Sequence, residues 1–140
     1  MSKKWLIAVL VIVILVVTWN HEKRQAINAA MLTQGFEVST LLRFASKEYF
    51  DGMGELPSSN AQLGMGAPED YSNLALHSAS IIEGGTIELV YKVNTGIEGG
   101  IIRYVPTIVP GMIKWSCETP DYVDIADYFL CEYVPVVEGG

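Results

Sequence analysis

Basic charge is scarce in this chain: nine lysines and arginines face sixteen acidic residues, for a formal net charge of -7 at pH 7. The deficit deepens downstream, because from Ala26 onward only Arg43, Lys47, Lys92, Arg103 and Lys114 offset fifteen carboxylates, about -10 in all. Such a surface repels phosphate backbones, so direct nucleic-acid binding is not expected. Histidine is limited to His21 and His77, both isolated in sequence, so neither a His-Glu-x-x-His pair nor a recognisable catalytic histidine exists. Gly-x-Ser-x-Gly elbows and phosphate-cradling glycine loops are also missing. Enzymatic activity is not expected, and no cofactor is implied. Cysteine occurs twice, at Cys117 and Cys131, too few and too far apart for a zinc site. In a small exported domain such a pair reads as a disulfide, and in a cytosolic one as two buried thiols.

What the chain does have is a long apolar run. Trp5 to Trp19 carries no charge, and Lys3 and Lys4 precede it. The exit through Thr18, Trp19, Asn20, His21 and Glu22 has no small-residue signal-peptidase site, which favours a retained anchor over a cleaved signal. Fifteen helical residues cover about 22 Å against a hydrocarbon core of about 30 Å, so the span is short. Thinning of the bilayer or snorkelling of lysines closes such a gap. Trp5 and Trp19 suit the two interfaces. Lys23 and Arg24 partly balance Lys3 and Lys4, and the cysteine pair favours a head outside the cytoplasm. With 140 residues there is room for this anchor and one domain, here divided into 1–25 as anchor and start of a long helix and 26–140 as head.

Beyond the run, Ile27, Ala30, Met31, Val38, Leu41, Leu42, Ala45 and Tyr49 recur near the helical period, which predicts one unbroken helix from the membrane to about Tyr49. Gly35 interrupts it at about 1 kcal/mol relative to alanine, a cost tolerable in a helix this long, and permits a bend. Residues 51–73, with glycine at 52, 54, 64 and 66 and proline at 57 and 68, read as an irregular connector. Four strands are predicted after it: Leu74 to Ile82, Thr86 to Val93, Ile101 to Val109 and Met112 to Cys117. Glu-Gly-Gly at 83–85 and 98–100, and Pro110-Gly111, supply the turns. The expected fold is α+β, an antiparallel meander of four strands wrapped on one face of the helix.

These residues carry a family resemblance. Gln25-Ala26 through Tyr49-Phe50, Leu56-Pro57-Ser58-Ser59-Asn60-Ala61 and Gly66-Ala67-Pro68 resemble the helix-to-head transition of type IV pilins. Gly84-Gly85-Thr86-Ile87, Val105-Pro106-Thr107, Ile113-Lys114-Trp115-Ser116-Cys117 and Cys131 are similar to that family's sheet and C-terminal region. The match covers roughly residues 20 to 133. It implies a lollipop-shaped structural subunit with a four-stranded sheet and a loop closed by a Cys117–Cys131 disulfide. It also implies a place in the bacterial inner membrane, single-pass with the head in the periplasm, and then in an extracellular pilus serving adhesion, motility or DNA uptake. Its implied partners are other pilin or pilin-like subunits, the assembly platform and the inner membrane. Two alternatives stand beside this: a type II secretion pseudopilin, and a membrane-anchored accessory or inhibitory protein that binds true pilins without assembling.

The resemblance departs near the N-terminus. The family places a glycine before its apolar start, marking peptidase cleavage, and a docking glutamate inside it. Here no glycine occurs before Gly35, and Glu22 lies beyond the run. The expectation is a segment that stays uncleaved and a subunit that assembles with conventional pilins rather than alone. Within the cysteine-bounded loop, Glu118, Asp121, Asp124 and Asp127 are spaced three apart. They read either as a solvated acidic face on a helical turn or as a calcium set, as in some secretion pseudopilins, although no glycine-centred EF-hand register is present. Tyr122, Tyr128 and Tyr133 in the same region are core, rim or adhesive candidates.

Overall fold

A computed structural model describes residues 2–123 and 131–137. Helix α1 runs without interruption over Lys3–Met53, about 76 Å at 1.5 Å per residue. It outlasts the predicted end at Tyr49 by a full turn. The Lys47 ammonium bridges one turn to the Asp51 carboxylate, and the helix stops only where Gly54 takes a left-handed conformation, φ 74°, and donates its N–H to the Phe50 carbonyl at 2.8 Å.

Five strands follow: β1 (Leu76–Ile81), β2 (Ile87–Tyr91), β3 (Ile101–Val109), β4 (Met112–Thr119) and β5 (Cys131–Tyr133). They lie in the order β1-β2-β3-β4-β5 in one sheet. The first four form the predicted antiparallel meander. The three residues of β5 add a parallel edge that no sequence period announces, with Cys117 opposite Cys131, Glu118 opposite Glu132 and Thr119 opposite Tyr133. Three residues are too few to show an alternation, and their pairing comes from the returning chain.

Only the second half of α1 meets the sheet. Leu32, Gly35, Ser39, Leu42 and Ser46 are buried, at alternating steps of three and four that define one stripe. Opposite it, alternate strand residues point inward: Ala79 and Ile81 from β1, Ile87, Leu89 and Tyr91 from β2, Ile102 and Tyr104 from β3. Three of the five helix positions are glycine or serine, so the sheet comes close. Gly35 is the tightest point. A Cβ there would collide with the Tyr91 hydroxyl, which reaches over Gly35 to donate to the Leu32 carbonyl at 2.9 Å. The glycine read from sequence as a place to bend is therefore a notch for a tyrosine in a continuous helix. On the outer sheet face Arg103 and Glu88, direct cross-strand partners, pair at 2.9 Å.

The irregular connector is fastened to the sheet. Asn60, itself buried, donates its amide to the Gly66 and Ala79 carbonyls at 3.1 and 3.0 Å and accepts from the Ile81 N–H at 2.7 Å. One side chain thus serves the outer edge of β1 as an adjacent strand would, and short 3₁₀ turns at Ala61–Leu63 and Pro68–Tyr71 complete the cover. Asn60→Ala leaves the Ile81 N–H and Ala79 carbonyl unpaired, a loss of about 2–3 kcal/mol at typical costs for buried unsatisfied groups. Thermal melting checks the loss, and amide exchange at Ile81 shows whether the edge has opened.

Candidate functional site

The first candidate surface is the free half of α1. Every large apolar side chain from Trp5 to Trp19 is at least 46 % exposed, around the whole circumference of the helix. An amphipathic helix keeps a polar face for water, and this segment keeps none. The helix that carries it, Lys3–Met53, is long and apolar enough to cross a membrane. The hydroxyl of Thr18 donates to the Ile14 and Leu15 carbonyls, both at 3.0 Å, so it brings no unsatisfied polar group into that stretch. Polarity begins at once with Asn20, and within the next turns the Lys23 ammonium lies 5.1 Å from the Trp19 ring centroid and His21 bonds to Gln25 at 3.0 Å.

The second surface is the C-terminal edge. A disulfide joins Cys117 and Cys131, whose Cα atoms lie 4.4 Å apart as direct partners of the parallel β4–β5 pair. The chain leaving β4 is tied back at once. The Thr119 hydroxyl donates to the Ile101 carbonyl at 2.6 Å and accepts from the Asp121 and Tyr122 N–H groups, both at 3.2 Å. Asp121 accepts the Ile101 N–H at 2.8 Å, and Tyr122 turns inward to share a 2.6 Å hydrogen bond with Thr95. A Cβ on Gly100 would strike the Tyr122 ring, so that glycine is required by a close approach.

These contacts sort the loop residues. Asp121, one of the four carboxylates in the calcium reading, has an oxygen committed to a backbone N–H at the start of β3. Glu118 sits on β4 in register with Arg103. Asp124 and Asp127 lie outside the described residues, as does Tyr128. Among the described residues no three His, Cys, Asp or Glu side chains gather. Tyr122 is core, while Tyr133 is exposed on β5. His77, isolated in sequence, finds Glu98 across the head, and that pairing holds the Glu98 carboxyl below its usual range, aided by the Val93 N–H.

Burial pushes the Tyr122 phenol up to about 12, with the Thr95 hydrogen bond opposing and Asp121 adding to the rise. Tyr91 is raised as well, chiefly by burial. A tyrosine that titrates near 10 when unfolded and near 12 when folded supports the fold fully below about pH 10 and withdraws that support as pH climbs toward 12. Melting temperature is therefore expected to fall across pH 10–12. Tyr122→Phe, which removes this phenol, is expected to flatten that slope.

The Trp-Ser-Cys approach, the disulfide, the helix-backed meander and the free apolar half-helix point the same way as the comparison with protein families. The family of pilins, the subunits of bacterial filaments, matches residues 28–135. This chain belongs to the pilin family. No curated protein matches it closely enough to add a named relative. Pilins are structural proteins rather than enzymes, and the match spans the second half of α1, the sheet and the disulfide edge together. Sequence reading located the long helix, the strands and the cysteines of this pilin. It missed the service of Asn60 to β1 and that of Asp121 to β3, because each acts on a backbone group some twenty residues away. An asparagine or aspartate among turn residues looks the same whether it serves a local turn or a distant strand.

Proposed function

We propose that this pilin is a membrane-anchored structural subunit that joins a bacterial pilus filament, with residues 1–25 as its anchor and 26–140 as its head. The observation that carries this reading is the division of α1. One half has its apolar stripe covered by the sheet, while the other is apolar all round from Trp5 to Trp19 and, among the described residues, exposed. Such a surface is stable in lipid before assembly and among like helices afterwards. In this reading the head lies in the periplasm while the helix is held in the inner membrane, and an assembly platform transfers the subunit into an extracellular filament.

The run from Trp5 to Trp19 contains no carboxylate to pair with a neighbouring subunit, which favours mixed filaments over homopolymers. Lys3, Lys4, Glu22 and Lys23 are the charged groups nearest the run that could set register. The same observation supports a second reading, an accessory or inhibitory protein that binds true pilins from the membrane. Expression beside an assembly platform, with and without a conventional major pilin, decides between them. The chain is expected in sheared surface filaments only when the major pilin is present. Filaments of this chain alone overturn the dependence, and strict retention in membranes with the major pilin present favours the accessory reading. Assembly with secretion-system pseudopilins instead would place it among them.

A further inference from the structure

Three loops gather where the head begins on α1. Asn94 donates to the Leu74 carbonyl at 2.8 Å and lies 3.9 Å from the Met31 sulfur. Asn73 reaches the Gln34 carbonyl at 3.4 Å, Gly96 abuts Asn28, and Tyr122 joins the same corner through Thr95. This pole faces the apolar run. Each loop presents a branched apolar side chain to solvent: Leu74 is 67 % exposed, Val93 66 % and Val123 61 %, with Ile27 beside them on the helix. Exposure alone does not decide their role, since Ile108 and Met112 of the far hairpin are also open. Position does.

We propose that this pole rests on the lipid surface that α1 enters, so that the unassembled subunit is held by its head as well as its anchor. The inference rests on the reading of Trp5–Trp19 as a membrane span. That span covers about 22 Å of a hydrocarbon core of about 30 Å, and matching the core takes about 20 residues, from Trp5 to about Arg24. Sinking that far leaves Asn28 about 6 Å above the hydrocarbon edge, within a headgroup layer of about 5–8 Å. Lys23 and Arg24 then reach the headgroups by snorkelling, and Glu22 is the charge that opposes the descent. At the pole, Lys92 offers a further cation and Glu98 an anion already engaged by His77 and the Val93 N–H, so the contact is chiefly apolar. The acidic remainder of the head disfavours a charge-driven contact, and a neutral phosphatidylcholine surface is the occupant that fits.

The test uses the full chain, isotope-labelled, in phosphatidylcholine nanodiscs that carry a nitroxide lipid, either on the headgroup or deep in the acyl chain. Headgroup nitroxide is expected to abolish amide signals at Leu74, Val93, Ile97 and Val123 while sparing Gly85 and Gly111 at the far pole. Leu74→Asp with Val93→Asp, both at exposed positions, is expected to restore the pole signals with the disulfide still formed. Equal attenuation at the two poles, or none at either, overturns the proposal. So does attenuation that the double variant leaves unchanged. Protection at the pole that grows with the number of subunits per disc and not with nitroxide assigns the surface to a second copy and also overturns it. Acyl-chain nitroxide separates the two readings: signals lost from residues 5–19 keep the anchor when only the pole inference fails, and signals retained there remove the anchor itself.

Discussion

Gly35→Ala is expected to destabilise the head by about 2–4 kcal/mol, although the same change in an exposed helix stabilises by about 1 kcal/mol. The added Cβ would collide with the Tyr91 hydroxyl and lie 3.1 Å from Leu89 Cδ1, in a part of the core where helix and sheet already touch. Overpacking of this kind costs about 1–3 kcal/mol, and displacing the Tyr91 hydroxyl strips a buried donor of its bond to Leu32 at a further cost of about 1–3 kcal/mol. The two losses outweigh the gain in helix propensity. Tyr91→Phe alone is expected to cost about 1 kcal/mol, since the Leu32 carbonyl retains its place in the helix ladder. In Gly35→Ala combined with Tyr91→Phe, removing the colliding oxygen should recover part of the loss, a coupling that a double-mutant cycle measures directly. Additive effects, or a Gly35→Ala head as stable as the parent, would show that the notch does not set the helix-to-sheet distance.

Replacing both cysteines with serine is expected to cost about 3 kcal/mol, the chain-entropy value for a closed loop of about 15 residues. The loss should be confined to one edge. β5 pairs over three residues, and Val134 adds one more bond, its N–H donating to the Thr119 carbonyl at 2.8 Å. Without the covalent tie this short parallel strand has little to hold it, so amide protection at Glu132 and Val134 should vanish first. The β1–β4 meander and the Thr119–Asp121 contacts to Ile101 should remain, because each is held by its own hydrogen bonds to β3 and not by the covalent tie. Thiol labelling of the native parent without reductant should find neither cysteine reactive. Labelling at both, or collapse of the entire sheet in the serine variant, would contradict this picture.

Much of this pilin is legible in its sequence, wherever the deciding physics acts between near neighbours. The apolar run stands out from the residues themselves, because fifteen uncharged residues have no stable place in water. The four strands of the meander fall within a few residues of their predicted limits, since period-two patterning and the glycine turns at 83–85, 98–100 and 110–111 act over a few positions. Chain-order adjacency of those strands follows from short turns. The end of α1 was less legible, because an acid at 51 reads as a breaker until its pairing with Lys47 is seen.

Tertiary structure alone decided the rest. Whether Gly35 is a bend or a notch depends on Tyr91, fifty-six residues later in the numbering, whose ring arrives only when β2 pairs with its neighbours. Whether Asp121 is a free carboxylate or a backbone acceptor depends on where β3 begins. The parallel fifth strand exists because the chain returns to set Cys131 beside Cys117, and three residues carry no pattern from which that return could be read. A helical or strand period records which face of an element is buried, not which distant atom will lie against it. Only the closed fold brings that atom within reach.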